Sequence, residues 1–286
     1  GHLLKTFLAP AITGLIFSPD DQQFATASRE GTVQLWTIQG QPIKTFSAHR
    51  DTIYQVQFSA NGHQLATASR DGTAKLWTRQ GQPLATLTGH RAAVYAVRIS
   101  PDGQTVATAS DDGTAKIWTA QGKLLTTLIG HHGAVHDVDF CPDGQRVVTA
   151  ASDGTARIWT RTGTLLKTLK HDSSLVYRAT FSPNGQQLAT GTKDGTVEIW
   201  NRQGKLQTAF TGHHDLIHSL QFLSNYQLLA IAQNDSQARR WPVQETPRER
   251  IHLLLNDGCL WLEDYFVSHP QARLEICHPV NPPELE

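Results

Sequence analysis

Apolar and polar residues alternate in short runs along most of this chain. The clearest run is GHRAAVYAVRISPDGQTVATASDDGTAKIW, at residues 89–118. Its period of two predicts three strands rich in Val, Ala, Thr and Ile. Residues 100–103 (SPDG) are typical of a β-turn, because Pro fixes φ and Gly accepts φ > 0. Asp112-Gly113 is typical of a two-residue hairpin. The run therefore predicts a small antiparallel sheet.

The same unit recurs six times with a step of 41 residues. The tryptophans that close the copies are Trp36, Trp77, Trp118, Trp159, Trp200 and Trp241. A fourth, outer strand precedes the three of each unit, because residues 1–7 (GHLLKTF) align with residues 40–46 (GQPIKTF) and 122–128 (GKLLTTL). A unit this short cannot bury its own apolar faces, so the copies are expected to stack into one domain.

The motifs of the unit resemble those of the WD40 repeat family. They are a Gly-His, an apolar strand, Phe-Ser-Pro-Asp-Gly, an Ala-Thr-Ala-Ser strand, Asp-Gly-Thr and a closing Trp. The resemblance covers residues 1–241 and implies an all-β propeller of six four-stranded blades, or seven if a blade lies upstream. The last copy has no outer strand after it in the sequence. We therefore expect residues 3–7 to pair with it and close the ring.

The repeat ends after Trp241. Residues 242–250, which include Pro242 and Pro247, are expected to form a charged linker. Residues 251–286 are expected to form a helical cap or tail. The apolar residues at helical spacing are Ile251, Leu254, Leu255, Leu262 and Phe266. Residues 258–265 (GCLWLEDY) resemble the tail that follows WD40 arrays in bacterial, notably cyanobacterial, signalling ATPases of the STAND class.

Charge and cysteine content narrow the function classes. Lys plus Arg and Asp plus Glu number 25 each, so the formal net charge is zero. Neutrality removes the electrostatic basis for binding nucleic acid or an anionic membrane, and no apolar run is long enough to span a bilayer. The odd set of Cys141, Cys259 and Cys277, without a signal peptide, predicts a reducing cytoplasm. Because the sequence contains no Met, we expect a piece of a longer polypeptide.

His, Ser and Asp recur together, which a hydrolase could use as a triad. The family resemblance instead implies a buried network that runs from Trp to Ser to His to Asp and ties three strands together. Its predicted members are His49, Ser69, Asp71 and Trp77 in the second copy, and His90, Ser110, Asp112 and Trp118 in the third.

This pattern weakens in the other copies, as expected of a scaffold and not of a unique catalytic centre. The substitutions are Glu30 in the first copy, Ala151 in the fourth, Asp172 and Thr192 in the fifth, and Gln233 in the sixth. We therefore predict no catalytic residue. A propeller hydrolase would show a unique charged cluster in the central channel, and the sequence indicates none.

Two histidine clusters have a metal-like spacing. They are His131, His132 and His136, and His213, His214 and His218. Metal binding would require three nitrogens to converge on one point. His131 and His213 are expected in the buried networks, and the clusters lie in different blades. We predict no metal and no cofactor.

Two repeat positions are candidates for partner binding, because the family resemblance places them on the top face of the propeller. The first position, early in each inner strand, holds Tyr54, Tyr95, His136, Tyr177 and His218. The second, in the hairpin turn, holds Arg29, Arg70 and Lys193. Aromatic residues interleaved with Arg are typical of interface hot spots. The alternative is that the tyrosines only pack between blades.

The sequence thus predicts a non-catalytic module that recognises a protein or peptide. We expect it to be the sensor or autoinhibitory end of a larger bacterial signalling protein in the cytoplasm. Three alternatives are a stand-alone scaffold that joins two partners, a module with a small-molecule ligand, and, least favoured, a propeller hydrolase.

Overall fold

The computed structural model describes residues 11–172, 175–223, 227–235 and 237–243. The expected outer strand at residues 3–7, most of the expected linker, the helical tail, Cys259 and Cys277 lie outside this part of the chain. The described residues form 23 strands and contain no helix.

The strands form six antiparallel sheets, called blades 1 to 6 here. Blade 1 contains β1 (Ile12–Phe17), β2 (Gln23–Ser28), β3 (Thr32–Thr37) and β4 (Pro42–Ser47). Blade 2 contains β5 (Ile53–Phe58), β6 (Gln64–Ser69), β7 (Ala74–Thr78) and β8 (Pro83–Leu87). Blade 3 contains β9 (Val94–Ile99), β10 (Thr105–Ser110), β11 (Ala115–Thr119) and β12 (Leu124–Leu128).

The remaining blades repeat this order. Blade 4 contains β13 (Val135–Phe140), β14 (Arg146–Ala151), β15 (Thr155–Thr160) and β16 (Leu165–Lys170). Blade 5 contains β17 (Val176–Phe181), β18 (Gln187–Thr192), β19 (Val197–Asn201) and β20 (Leu206–Phe210). The described strands of blade 6 are β21 (Ile217–Phe222), β22 (Gln227–Ala232) and β23 (Ala238–Pro242). This all-β propeller confirms the predicted fold class.

The core lies between neighbouring blades. In blades 2 to 6 the first, inner strand packs against the second strand of the blade before it, as Val56 and Phe58 pack against Ala25 and Ala27. Small alanines on the second strand let the next blade approach closely, and the large side chains of the inner strand fill the space between the sheets. A single blade would leave both surfaces in water, so the blades are stable only as a stack.

The Ser-Pro-Asp-Gly turn adopts the geometry that the sequence predicts. The predicted two-residue hairpin at Asp112-Gly113 was wrong, because the Ser110 N–H donates to the Thr114 carbonyl around three intervening residues. Gly103 has φ of 70°, and its N–H donates to the Ser100 carbonyl over 2.8 Å. The Ser100 hydroxyl donates to the Asp102 carboxylate, which also accepts from the Gln104 N–H. In blade 1 the left-handed position is held by Asp21, with φ of 54°, because Asp tolerates this region better than most residues do.

Blade 6 departs from the common register. Phe222 pairs with Leu228, whereas the matching Phe58 pairs with Leu65. The turn after the inner strand is therefore one residue shorter, and the next turn is one residue longer. The constant spacing of the tryptophans hides this compensated shift. As a result Ala232, and not Gln233, lies at the serine position of the sixth copy.

The inner strand of blade 1 is exposed on the face that other inner strands bury. Leu15 and Phe17 are 49% and 51% exposed, whereas the matching Val56 and Phe58 are each 6% exposed. Successive inner strands from β1 to β21 pack side by side, but within the described residues β21 and β1 share at most marginal contact. This face of blade 1 therefore has no covering blade in the described part of the chain.

Candidate functional site

A hydrogen-bonded network of four side chains crosses the centre of each of blades 2, 3 and 4. In blade 3 the Trp118 indole N–H donates to the Thr108 hydroxyl over 2.9 Å. His90 Nε2 lies 2.7 Å from the same hydroxyl, and His90 Nδ1 lies 2.9 Å from Asp112 Oδ2. The Asp112 carboxylate can only accept, so Nδ1–H donates to it, and Nε2 of the neutral ring accepts from the Thr108 hydroxyl, which itself accepts from Trp118. The network therefore holds the histidine as one neutral tautomer.

The bridging hydroxyl belongs to threonine and not to the predicted serine. Thr108 holds this position in blade 3 and Thr67 in blade 2. Ser69 and Ser110 lie two residues further along, where their hydroxyls donate to backbone carbonyls and accept the N–H of Asp71 and Asp112. The predicted Trp-Ser-His-Asp order was wrong. Threonine and serine lie on the same face of the strand, but the serine is two residues nearer to the hairpin turn, where backbone groups occupy its hydroxyl.

The other blades carry partial or altered networks. Blade 2 joins His49, Thr67, Asp71 and Trp77 in the same way, and blade 4 joins His131, Thr149, Asp153 and Trp159. Blade 1 retains the bond from Trp36 to Thr26. In blade 6, Ala230 stands at the threonine position, so His213 keeps Asp235 but Nε2 is buried without a partner among the described residues.

Blade 5 also contains a histidine in its network, contrary to the sequence prediction. His171, one residue before the expected position of Asp172, lies 2.8 Å from the Thr190 hydroxyl. Its Nε2 is also 3.1 Å from Glu198 Oε2, where blades 3 and 4 have Lys116 and Arg157. Burial lowers the pKa of His171 to about 4 and raises the pKa of Glu198 to about 7. Both groups are therefore driven towards their neutral forms.

Burial governs the ionisation of the complete networks too. It lowers the pKa of His90 below its usual value, although Asp112 opposes the effect. Burial also disfavours the Asp112 carboxylate, but hydrogen bonds from Thr114, the Arg91 N–H and His90 outweigh it and lower its pKa to about 2. The pair consequently holds a neutral imidazole beside a saturated carboxylate, which is a structural arrangement and not a poised acid and base.

Five aromatic rings from consecutive blades form an aromatic arc. Ring centroids are separated by 5.2 Å between Tyr54 and Tyr95, 5.3 Å between Tyr95 and His136, 5.1 Å between His136 and Tyr177, and 6.0 Å between Tyr177 and His218. Tyr54 is 39% exposed and His218 is also exposed, while the three central rings are half-buried. The rings thus pack on one another and still present an aromatic surface.

The arc lies on the face where the inner strands begin, here called the top face. The hairpin turns reach the same face, because the Arg70 N–H donates to Thr52 O and the Lys193 N–H donates to Leu175 O, just before β5 and β17. Arg29, Arg70 and Lys193 are all exposed. The structure therefore brings the eight predicted partner-binding residues to one face.

Polar contacts fix the central rings of the arc. The Tyr95 hydroxyl donates to Asp111, and burial together with this carboxylate raises the pKa of Tyr95 to about 12. The Arg178 guanidinium lies 4.9 Å from the Tyr177 ring centroid and donates to the His218 carbonyl over 2.6 Å. These contacts hold the rings in place before any partner binds, which reduces the entropy that binding would cost.

The central channel holds a charged cluster that the sequence interpretation missed. Asp137 Oδ1 is 3.8 Å from both Arg98 and Arg178, and Arg98 Nε is 3.7 Å from Asp139 Oδ1. The prediction of no unique charged cluster was wrong. The four residues occupy two channel positions that hold Gln55 and Gln57 in blade 2, so a comparison of those positions across copies would have revealed them.

The cluster joins adjacent blades. Asp137 Oδ2 accepts from the Ala179 N–H, and Asp139 Oδ2 accepts from the Thr180 hydroxyl and the Phe181 N–H. Gln55 makes the equivalent bond to the Val97 N–H over 2.7 Å. Burial raises the pKa of Asp139 to about 6, against the effect of Arg98. The channel side chains therefore serve as links from one inner strand to the next.

The two histidine clusters are dispersed. His131 is held between Thr149 and Asp153, whereas His136 lies between the Tyr95 and Tyr177 rings. Within the described ranges, no three His, Cys, Asp or Glu side chains are arranged to hold a metal ion. Cys141 is a buried free thiol. In the same ranges no helix has the length and apolarity needed to cross a membrane.

Repeated antiparallel sheets with one shared polar network define a β-propeller built from a single sequence unit. Residues 78–259 match the family described as the IFT122 first beta-propeller, and residues 1–37 and 40–78 match the WD domain, G-beta repeat. The chain belongs to the WD40 β-propeller family. No curated protein matches the sequence. WD40 propellers are generally non-catalytic domains that mediate protein interactions.

Proposed function

We propose that this chain recognises a protein or peptide partner on its top face, without catalysis. The aromatic arc carries the proposal. Its five rings span five consecutive blades. Its end at Tyr54 is exposed, and so is Arg70, whose N–H donates to the Thr52 carbonyl two residues before Tyr54. Large rigid rings contribute contact area at low entropic cost, and arginines add directional hydrogen bonds.

The hydrogen bonding of the network histidines and the channel carboxylates supports the proposal that the chain does not catalyse a reaction. The network histidines are neutral and bonded on both nitrogens in blades 2 to 4. The channel carboxylates accept backbone hydrogen bonds and face arginines. A nucleophile with an adjacent base and access to substrate would be required for covalent hydrolysis.

The biological setting that we propose is the cytoplasm of a bacterium. The module would be the sensor or autoinhibitory end of a larger signalling protein. Support comes from the tail at residues 258–265, which resembles tails of STAND-class ATPases, and from the neutral charge, which disfavours nucleic acid as the partner.

The test compares three forms of the full chain in affinity capture from a bacterial lysate, followed by reconstitution with the purified partner. They are the wild type, Tyr54→Ala, and Leu166→Ala as a control with similar exposure on an outer strand. We expect Tyr54→Ala to weaken binding of the reconstituted partner by about ten-fold or more, as hot-spot residues do. Equal binding by all three forms would place recognition elsewhere.

A further inference from the structure

The top face contains an open cleft of about 300 Å³ between blades 2 and 3. Arg70, from the turn between β6 and β7, and Arg91, from the loop before β9, both line it. Its remaining walls are polar and small, and include Asp71, Thr73 and His90. The cleft adjoins the two blades that supply Tyr54 and Tyr95 to the aromatic arc.

The carboxylates near this cleft are already saturated. Asp71 Oδ2 accepts from His49 and the Arg50 N–H, while its Oδ1 accepts from the N–H and hydroxyl of Thr73. Asp112 has the same four bonds, with His90, the Arg91 N–H and Thr114 as donors. Neither carboxylate therefore has an oxygen left to pair with a guanidinium in the cleft.

The two guanidinium groups are correspondingly available. The Arg70 side chain is 64% exposed, and its Nε lies 3.9 Å from Asp51, a distance too long for a hydrogen bond. Arg91 is exposed, and its side chain makes no ion pair or hydrogen bond among the described residues. Its backbone N–H is fixed by Asp112, so the loop is held while the side chain remains free.

The two arginine positions are not basic in every blade. They hold Arg29 and Arg50 one blade earlier, and neither of these lines this cleft. One blade later they hold Asp111 and His132. Two arginines that converge on one cavity suit a carboxylate, because guanidinium groups bind carboxylates through paired, charge-assisted hydrogen bonds.

We infer that the partner inserts an Asp or Glu side chain between Arg70 and Arg91, beside residues that stack on the aromatic arc. The inference rests on the proposed function and specifies its ligand as an acidic peptide. The charge of the cleft determines which peptides bind, and the rings supply contact area that depends little on sequence.

The test begins with selection of a displayed library of random linear peptides on the full chain. A selected peptide is then synthesised with a fluorophore, and its binding is measured by fluorescence polarisation. The chain is compared with Arg70→Gln/Arg91→Gln, with the matched pair Arg29→Gln/Arg50→Gln, and with Tyr54→Ala. All five side chains are exposed, so the variants are expected to fold, which circular dichroism checks.

We expect selected peptides to be enriched in Asp or Glu. Arg70→Gln/Arg91→Gln should weaken binding by about ten-fold or more, whereas the matched pair, with the same change in charge, should change it less than about three-fold. Replacing the peptide's acid by its amide should match the loss in the Arg70→Gln/Arg91→Gln variant. Higher ionic strength should also weaken binding.

Three outcomes would overturn the inference. They are a selection without acidic peptides or without any peptide, equal losses in the two arginine pairs, and no loss in Arg70→Gln/Arg91→Gln. If Tyr54→Ala weakens binding while the cleft variant does not, recognition by the top face stands and only the acidic ligand is wrong. If no variant weakens binding, the proposed function fails as well.

Discussion

At the scale of the residue, one threonine hydroxyl joins the buried tryptophan to the buried histidine in each of blades 2, 3 and 4. Thr108 accepts from Trp118 and donates to His90, so one small side chain satisfies two large buried partners. Blade 6 shows the effect of its loss, because Ala230 at this position leaves His213 Nε2 without a partner among the described residues. The threonine hydroxyl is therefore the group that gives both the tryptophan N–H and the histidine Nε2 a hydrogen-bond partner.

Thr108→Val removes this hydroxyl and keeps the shape of the side chain. We expect a loss of about 2–3 kcal/mol in the free energy of unfolding, because the Trp118 N–H and His90 Nε2 become buried without partners. Thr108→Ser keeps the hydroxyl and should lose less. Denaturant titration followed by Trp fluorescence measures both. Equal losses would show that the methyl group, and not the hydroxyl, matters.

The pH dependence of Glu198 provides a second prediction at this scale. Its folded pKa of about 7 lies above its ordinary value of 4.5. Its burial therefore costs stability increasingly as pH rises from about 4.5 to 7, and by a constant amount above that. Glu198→Gln should raise the free energy of unfolding at pH 8 by about 1–3 kcal/mol and leave it nearly unchanged below pH 4.5.

Denaturant titrations at the two pH values measure this difference. The control is Glu30→Gln, because Glu30 is exposed on a blade 1 turn; it should show little change at either pH. A destabilised Glu198→Gln variant at pH 8 would instead indicate that the Glu198 carboxylate forms a favourable pair with His171, 3.1 Å away.

At the scale of the element, the sequence predicted the strands from their period of two and the turns from their Pro, Asp and Gly residues. Alternation identified the strands, and Pro-Asp-Gly and Asp-Gly identified the turns, as the geometry of Gly103 shows. The sequence prediction missed single-residue offsets. His171 lies one residue before its expected position, although the strands on either side of it keep the common register. Ala232 lies one residue before the expected Gln233, because a compensated shift in blade 6 preserves the tryptophan spacing. Only strand pairing reveals such shifts.

The sequence likewise predicted one part of the candidate site and missed another. Tyr54, Tyr95 and Tyr177 reach one face because they share a repeat position, so the sequence placed them together. The sequence did not show the cleft between Arg70 and Arg91, since it depends on how two loops from adjacent blades approach. The channel cluster was missed because it breaks the repeat.

Phe17 and Phe58 occupy the same position in β1 and β5 but differ in exposure, 51% against 6%. We expect Phe58→Ala to lower the free energy of unfolding by about 3–5 kcal/mol, as large core truncations do. Phe17→Ala should lose less than about 1.5 kcal/mol, because much of its ring is already in water. Thermal and denaturant unfolding compare them. Equal losses would mean that the face of β1 is covered in solution.

At the scale of the whole molecule, the described blades behave as a stack in which stability comes from each blade's neighbours. Blades 2 to 5 have a described blade on both sides, whereas blades 1 and 6 have one. In such arrays local opening is least costly where interfaces are fewest. The centre of the stack should therefore be the most resistant to local unfolding.

Amide hydrogen exchange read by mass spectrometry tests this gradient. We expect the slowest exchange in β10 and β14, whose residues are almost all buried, and faster exchange in β1 and β22. The physical reason is the free energy of exposing interfaces, because a central blade must break two and an end blade one. Uniform protection across the blades would contradict it.

The links in the central channel have a consequence for behaviour at high concentration. Each inner strand is an edge of its sheet, and free edges recruit strands from other molecules. In blades 3 and 5 the N–H groups of Val97, Ala179 and Phe181 are occupied by side chains of the blade before them. A foreign strand would have to displace Gln55, Asp137 and Asp139 to pair there. The acid and amide side chains of the channel therefore protect the axis of the propeller against edge-to-edge aggregation.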